Sequence, residues 1–175
     1  FAQKKEKLTD VIAVEMDVRK KEDYVRFISD GVKNFGRVDV LVNNAGVLWK
    51  LAGIDDVMEE ELLDTFETNT FGPIYCAQAA VRAMKEQGAG FIVNIGSTSA
   101  VDFKSSHIAY GSSKSAIIGL TGCLREELKG TGINVVCISP GGMKTNLFRH
   151  QQERDRSSYM DPRLIADKII ENIEN

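Results

Sequence analysis

Two patterns of apolar residues alternate along the chain. Short runs rich in β-branched residues occupy positions 11–18, 38–43, 91–95 and 133–138, and longer stretches between them repeat apolar residues every three or four positions. The runs are typical of buried parallel strands, and the stretches are typical of the helices that connect such strands. We therefore predict an α/β fold with a doubly wound parallel sheet, Rossmann-like, in three α/β/α layers.

Four stretches of helical period accompany these strands. Gly36 is expected to end the first, and Gly72 and Pro73 to bend the second. The fourth opens with Asp161 as a cap and Pro162 in its first turn. In chain order the apolar stripes are Val25, Ile28, Val32 and Phe35; Leu62, Phe66, Ala77, Ala80 and Met84 within residues 59–85; Ile117, Leu120, Leu124 and Leu128 within residues 109–129; and Ile165, Ile169 and Ile173.

Charge and composition exclude several classes of partner. The 22 basic and 25 acidic residues are interspersed and give a formal net charge of −3, so the sequence offers no basic patch suited to nucleic acid. No apolar run reaches the roughly 18 residues of a membrane helix, and residues 1–10 do not resemble a signal peptide. Cys76, Cys123 and Cys137 lie in apolar stretches without C-x-x-C pairing, which predicts reduced core thiols and a cytoplasmic protein.

A phenol and an ammonium lie one helical turn apart in the third predicted helix. Tyr110 and Lys114 are separated by four residues, so their side chains are neighbours on one face. A fixed positive charge beside a tyrosine lowers its pKa from about 10 and makes it a usable general acid and base. The spacing alone also fits an exposed amphipathic pair. Ser97 follows the strand 91–95, at the edge where parallel sheets bind ligands.

Five motifs in order resemble those of the short-chain dehydrogenase/reductase family. They are Asn43-Asn44-Ala45-Gly46, Asn69 before Thr70-Phe71-Gly72, Gly96-Ser97, Tyr110-x-x-x-Lys114, and Ser139-Pro140-Gly141 followed by Thr145. The resemblance covers nearly the whole chain, from Asp17 to Thr145. It implies an NAD(P)-dependent oxidoreductase that interconverts a small-molecule alcohol and ketone, similar to 3-oxoacyl-thioester reductases or to sugar and alcohol dehydrogenases, with NAD or NADP as cofactor.

The resemblance also implies catalytic roles for four side chains. Tyr110 would give its proton to the carbonyl oxygen during reduction and take it back during oxidation. Lys114 would lower the pKa of Tyr110 and hold the hydroxyls of the nicotinamide ribose, while Ser97 would bind the substrate oxygen. Asn69 would hold a water that links Lys114 to solvent. A local cap at the helix bend is the alternative role for Asn69.

Further residues are implied at the cofactor. The family pattern places Asn43, Ala45 and Gly46 against the cofactor, Asp17 and Val18 at its adenine ring, and Pro140, Gly141 and Thr145 beside its nicotinamide. Asn43 would steady the sheet, and Gly46 would let the backbone approach closely. An aspartate at position 17 also fits a helix cap. A plain turn is the alternative for the segment 43–46 and for Pro140-Gly141.

Other site chemistries have little support in the sequence. His107 and His150 are the only histidines, and neither has the spacing of a metal ligand, so no metal site is predicted. No G-x-S-x-G motif is present, which argues against a serine hydrolase. Four larger side chains in the segments flanking the substrate are candidates for its pocket or for ordinary packing: Phe103, Met143, Phe148 and Tyr159.

The glycine-rich phosphate turn of the family, G-x-x-x-G-x-G, does not occur in this sequence. Residues 11–18 resemble the family's third strand, and its last strand would follow residue 175. We therefore interpret residues 1–175 as a single NAD(P)-binding domain that is incomplete at both ends. As given, the chain is expected to bind no dinucleotide and to be inactive alone. A non-catalytic protein that senses the cofactor or binds a partner is the alternative function.

The resemblance further implies a homodimer or homotetramer. Its interface would be built from residues 59–85 and 109–129 packed against their symmetry mates. Gly119, Gly122 and Cys123 would allow close approach there. The same small residues could equally pack against the chain's own sheet.

Overall fold

The structure is a computed structural model that describes residues 11–151 and 155–174. Three parallel strands form its sheet. The strands are β1 (Val40–Asn43), β2 (Gly90–Ile95) and β3 (Ile133–Ile138), in that spatial order. Both neighbouring pairs are parallel. The carboxyl ends of the three strands therefore lie at one edge of the sheet, where an α/β fold places its ligands.

Five α-helices connect and flank the strands within the described residues. They are α1 (Lys21–Phe35), α2 (Glu59–Phe66), α3 (Gly72–Gln87), α4 (Ile108–Glu127) and α5 (Pro162–Glu174). Gly36, at a φ of 80°, ends α1 with its N–H donated to the carbonyl of Val32. Asp161 Oδ1 accepts the N–H of Arg163 at 2.9 Å at the start of α5. Both predicted helix boundaries are confirmed.

The predicted bend between α2 and α3 is a π-helical turn, Glu67–Phe71. The N–H of Gly72 donates to the carbonyl of Glu67, five residues earlier. This turn therefore contains one residue more than an α-helical turn. The interruption lies before Pro73, which occupies the first turn of α3, where a missing N–H costs nothing. A widened turn, rather than proline, causes the bend.

One face of the sheet carries the core, covered by α1, α3 and the end of α4. Leu41, Ile92 and Val135 are in register across the three strands and are buried there. The full cluster is Tyr24, Ile28, Leu41, Cys76, Ala77, Ala80, Met84, Ile92, Leu128, Ile133 and Val135. Burial of so many apolar side chains is the main force that holds these helices on the sheet.

The other face of the sheet is only partly covered. Phe91 and Val136 point to it, since successive strand residues alternate between faces, and they border a groove together with Asn172 of α5. Val42 on the same face is 41% exposed. Three parallel strands with flanking helices confirm the predicted Rossmann-like α/β fold.

The predicted strand at residues 11–18 is wrong. A strand needs a neighbour for its N–H and C=O groups, and the described part of the chain pairs none with this segment. Val11 is 64% exposed there, whereas Val18 packs against the core. β1 also begins later than predicted, because the Gln87 amide bonds both backbone groups of Val38 at 2.9 Å and takes the place of a strand partner.

Two of the three cysteines are not the core thiols that the sequence predicts. Cys76 is a core thiol as expected, but Cys123 is exposed and Cys137 is half-buried.

Two glycines of α4 face open space. An added Cβ at Gly119 or Gly122 would meet nothing within 4 Å, so these glycines do not pack against the chain's own sheet. In residues 11–151 and 155–174, no helix is both long and apolar enough to cross a membrane.

Candidate active site

The segments after β2 and β3 are joined at the carboxyl edge of the sheet. The N–H of Gly96 donates to Ile138 O at 2.8 Å, and the N–H of Thr98 donates to Pro140 O at 3.0 Å. An added Cβ at Gly96 would lie 2.6 Å from Ser139 Oγ, so the serine side chain occupies the place where a side chain at position 96 would begin. The contact fixes the backbone on both sides of Ser97.

Tyr110 lies in the first turn of α4, beside Ser97. The Ser97 hydroxyl acts on the phenol, and by itself its influence lowers the pKa of Tyr110. Ser97 is buried, and its Oγ also accepts the N–H of Ser99 at 3.1 Å. The serine hydroxyl is thus fixed against the phenol, as two groups must be if both are to contact one substrate oxygen.

Lys114 is buried one turn beyond Tyr110. Its Nζ donates to Ile95 O at 2.8 Å and lies 6.0 Å from the centroid of the Tyr110 ring. Burial lowers the pKa of Lys114 to about 8, partly opposed by the nearby thiol of Cys137. An ammonium has three donors and Ile95 takes one, so the others are available to a ligand.

The expected lowering of the Tyr110 pKa by Lys114 is wrong in this structure. The pKa of Tyr110 is raised above 10.0, because burial disfavours the phenolate more than the hydrogen bond with Ser97 favours it. Lys114 Nζ lies 6.0 Å from the centroid of the ring and is bonded to Ile95 O. The described residues therefore hold Tyr110 as a protonated donor.

Asn69 lies in the π-helical turn with its side chain fully buried. Its Oδ1 accepts the N–H of Val47 at 2.8 Å, and its Nδ2 donates to Val47 O at 3.0 Å and to Ser113 Oγ at 3.1 Å. The alternative of a local cap is wrong, since these partners are distant in sequence. Asn69 instead fixes the loop after β1 against α4, next to Lys114. The water predicted from the family pattern remains a prediction.

Asn43, the last residue of β1, belongs to a series of buried hydrogen-bonded side chains that the sequence did not reveal. Its Nδ2 donates to Asn94 Oδ1 at 2.9 Å, and Asn94 Nδ2 donates to Thr121 Oγ1 at 2.9 Å. The chain ties β1 and β2 to α4. Asn94 stands inside the apolar run of β2, and a polar residue in such a run is a signal that could have found it.

The turn after β1 presents bare backbone to Lys114. An added Cβ at Gly46 would lie 3.4 Å from Asn69 Oδ1 and 3.8 Å from Lys114 Nζ. Ala45 is exposed beside it. Gly46 therefore leaves free the space next to the ammonium, and the turn is brought to the same place as Asn69 and Lys114.

Asp17 and Val18 lie at the start of the described chain, before α1. The carboxylate of Asp17 binds Arg19, with Nη2 to Oδ2 at 2.7 Å, and this bond lowers the pKa of Asp17 to about 2. Asp17 is not the cap of α1, which follows Lys20. Val18 packs where a Cβ of Gly72 would stand, 2.7 Å from Val18 Cγ2. Val18 thus packs against Gly72 at the start of α3, directly after the π-helical turn that contains Asn69.

The segment after β3 contains the other predicted cofactor residues. Pro140 is buried and bonded to the segment after β2, whereas Gly141 has open space where a Cβ would be. Thr145 caps a short 3-10 helix, Asn146–Phe148, by accepting the N–H of Leu147. Thr145 therefore also has a local structural role.

The four candidates for the substrate pocket do not form one group. Phe103 is 82% exposed, and Phe148 and Tyr159 pack on each other with ring centroids 5.1 Å apart. Met143 forms an isolated bridge with Met160. Among the residues that the structure describes, no three His, Cys, Asp or Glu side chains are grouped so that they could hold a metal ion.

Comparisons with known proteins agree with this geometry. The family model for short chain dehydrogenases matches residues 1–156. An uncharacterized oxidoreductase of Staphylococcus aureus is 32% identical over 91% of this chain and 68% of its own length. Farnesol dehydrogenase of Aedes aegypti is 40% identical over 78% of this chain and 58% of its own length.

A solved structure gives the same result. ElxO with NADP bound is 34% identical, with a TM-score of 0.74, over 83% of this chain and 58% of its own. The chain thus spans about three fifths of the length of the proteins it matches. The extent of these matches, together with the fold and the arrangement of Ser97, Tyr110 and Lys114, establishes that the chain belongs to the short-chain dehydrogenase family.

Proposed function

We propose that the full-length protein is an NAD(P)-dependent oxidoreductase that interconverts an alcohol and a ketone. The observation that carries the proposal is the juxtaposition of Ser97 and Tyr110, with Lys114 buried one turn away. Two hydroxyl groups side by side can bind one substrate oxygen from two directions. Such an arrangement suits the polarisation of a carbonyl group.

Tyr110 acts as the general acid in the direction of reduction. Its raised pKa keeps the phenol protonated, so it has a proton to give to the substrate oxygen. Ser97 donates a second hydrogen bond to that oxygen and stabilises the charge that develops on it. In the direction of oxidation the phenolate of Tyr110 accepts the proton, and the Ser97 hydroxyl stabilises that phenolate.

The residues around Lys114 fit a nicotinamide cofactor. The missing side chain of Gly46 leaves space beside Lys114 Nζ, and donors of the ammonium are available to ribose hydroxyls. When bound, the cofactor supplies or accepts the hydride. The NADP in the ElxO structure supports this class of cofactor. Asn69 holds the Gly46 turn in place through Val47.

The substrate class is a small-molecule alcohol or ketone. The name of the Aedes aegypti relative supports an isoprenoid alcohol as one candidate. The test panel therefore includes isoprenoid alcohols, 3-oxoacyl thioesters, sugar alcohols and simple ketones. We further propose a cytoplasmic enzyme, supported by Cys76, Cys123 and Cys137 all being free thiols.

We propose that the enzyme is a homodimer or homotetramer. Ile74 and Tyr75 on α3 and Ile118 on α4 are partly exposed apolar residues. Open space at Gly119 and Gly122 would let the backbone of a second copy approach. Analytical ultracentrifugation should show the Gly122→Arg variant as a smaller species than the wild type.

The test of the oxidoreductase function follows nicotinamide absorbance with this panel. Tyr110→Phe is expected to reduce kcat at least about a hundredfold, because it removes the general acid. Tyr75→Phe, which loses an equivalent hydroxyl on α3, is the matched control and should retain activity. Full activity in a folded Tyr110→Phe variant would contradict the proposal. Tight cofactor binding without turnover of any substrate would favour the non-catalytic alternative.

A further inference from the structure

Trp49 is the only tryptophan of the sequence and stands in the loop after β1. Its Nε1 donates to Asp64 Oδ2, on α2, at 2.7 Å. The other carboxylate oxygen of Asp64 pairs with Arg19 Nη1 at 2.5 Å, and Arg19 also binds Asp17. Because the carboxylate is held from both sides, the polar edge of the indole has a fixed position.

The segment after β3 contacts the same tryptophan. The ring of His150 stacks on the indole, with centroids 4.6 Å apart and 26° between the planes. Gln151 Nε2 donates to the carbonyl oxygen of Trp49. Trp49 therefore connects the loop after β1, helix α2 and the segment after β3, three parts of the chain that surround the site.

Trp49 and Tyr110 line the same cavity. Its wall also includes apolar side chains of Leu48, Leu51 and Val57. The cavity has a volume of about 20 Å³, which is room for about one water molecule. The cavity is too small for a substrate as it stands, so a carbon skeleton that extended into it from Tyr110 would have to displace the indole.

We propose that Trp49 determines the size of the substrate and that Asp64 is its positioning residue. The proposal rests on the oxidoreductase function, because the cavity concerned is the one beside Tyr110. The apolar side chains of Leu48, Leu51 and Val57 favour alcohols and ketones with an apolar carbon skeleton. The polar part of the same wall is formed by Lys50, Glu61, Thr65 and Ser106. The indole excludes large skeletons while Asp64 and His150 hold it in place.

The first test compares kcat/KM over a series of ketones of increasing chain length. In Trp49→Ala, kcat/KM for the longest ketone divided by kcat/KM for the shortest should rise at least about tenfold, because the indole wall of the cavity is removed. Trp49→Phe retains a ring and should show a smaller rise. Ile54→Ala, an exposed residue of the same loop, is the matched control and should leave the ratio unchanged. An unchanged ratio in Trp49→Ala would overturn the proposal.

The second test separates positioning from folding. In Asp64→Leu, which removes the acceptor of the indole N–H, KM for short ketones should rise about fivefold or more while kcat stays within about twofold. Asp64→Asn keeps an oxygen acceptor and should restore most of the wild-type KM. Asp39→Asn, which breaks an exposed pair with Arg37, is the control. Equal KM values in Asp64→Leu and wild type would remove the positioning role.

The third test does not require turnover. Trp49 alone contributes tryptophan emission, so a ketone that contacts the indole must change that emission. We expect a saturable change in Tyr110→Phe protein, in which the substrate binds without reacting. No change at saturating ketone would overturn the role of Trp49. If the wild type reduces no ketone but the emission still responds, the proposed reaction fails and the contact with Trp49 stands.

Discussion

The ammonium of Lys114 is bonded at 2.8 Å to the carbonyl oxygen of Ile95, the last residue of β2. A protonated amine with 5% of its surface exposed costs free energy to bury, and the lowered pKa of about 8 reflects that cost. The site therefore stores an unfavourable charge before any ligand is bound. This cost makes the stability of the protein depend on pH.

Replacing Lys114 by Met should change that dependence. The pKa of Lys114 is about 8 in the folded protein and near 10.5 in the unfolded chain, so between these values the unfolded chain binds more protons. Wild-type stability should therefore rise with pH from about 8 to 10.5, by about 3 kcal/mol. Lys114→Met lacks this rise.

Urea unfolding at pH 7, 8, 9.5 and about 10.5 measures the difference between the two proteins. The advantage of Lys114→Met over wild type should be greatest below pH 8 and should shrink above it. Lys129→Met, which removes an exposed amine paired with Glu126, is the control and should show no such change. A constant difference at all pH values would contradict the buried charge.

The buried amides of β1 and β2 should be costly to remove. Asn94→Ala takes away the acceptor of Asn43 Nδ2 and the donor to Thr121 Oγ1. We expect a loss of about 2 to 3 kcal/mol in the free energy of unfolding, because buried polar groups lose their partners. Chemical denaturation measures it. Asn34→Ala, an exposed amide on α1, should change stability by no more than about 0.5 kcal/mol, and an equal loss in both would refute the role of the buried chain.

Asn69 should not tolerate aspartate at neutral pH. A carboxylate can accept the N–H of Val47 but cannot donate to Val47 O or Ser113 Oγ, so Asn69→Asp should lose about 3 kcal/mol at pH 7. A protonated carboxyl can donate, so the difference from wild type should shrink near pH 4. Denaturation at both pH values tests this. Asn44→Asp, exposed in the neighbouring turn, is the control; a pH-independent loss would exclude the proposed bonds.

Two glycines in the turn before β3 should respond differently to alanine. Both have positive φ, 76° at Gly130 and 77° at Gly132. An added Cβ at Gly132 would lie 2.1 Å from Gly88 O, whereas at Gly130 it would meet nothing within 4 Å. Gly130→Ala should cost about 1 kcal/mol and Gly132→Ala at least about 3 kcal/mol, as thermal unfolding can measure. Similar costs at both positions would contradict the close approach.

The periodic parts of the fold could be predicted from sequence. Gly36 and Asp161 act on the helix beside them, so their effects are visible in a few neighbouring residues. The strand at residues 11–18 could not be judged in this way, because a strand exists only when another supplies its hydrogen bonds. The pattern of apolar residues cannot show whether that neighbour is present.

The same distinction between local signals and distant contacts applies to the candidate site. The spacing of Tyr110 and Lys114 is local and correctly placed the two on one helix. The pKa of Tyr110 depends on how deeply packing buries it, and the partner of Asn69 is a backbone 22 residues earlier. Neither relationship has a local sequence signal, so both required the folded structure.

The π-helical turn at Glu67–Phe71 has a geometric consequence. One additional residue rotates the helix that follows by about 100° relative to the helix before it. Helix α2 accordingly packs against α4, while α3, its continuation, lies on the sheet and on α1. Deleting one residue from this turn would rotate Asp64 away from the Trp49 indole even though every strand kept its register. The width of a single helical turn therefore sets how the bond between Asp64 and Trp49 is aligned with the core.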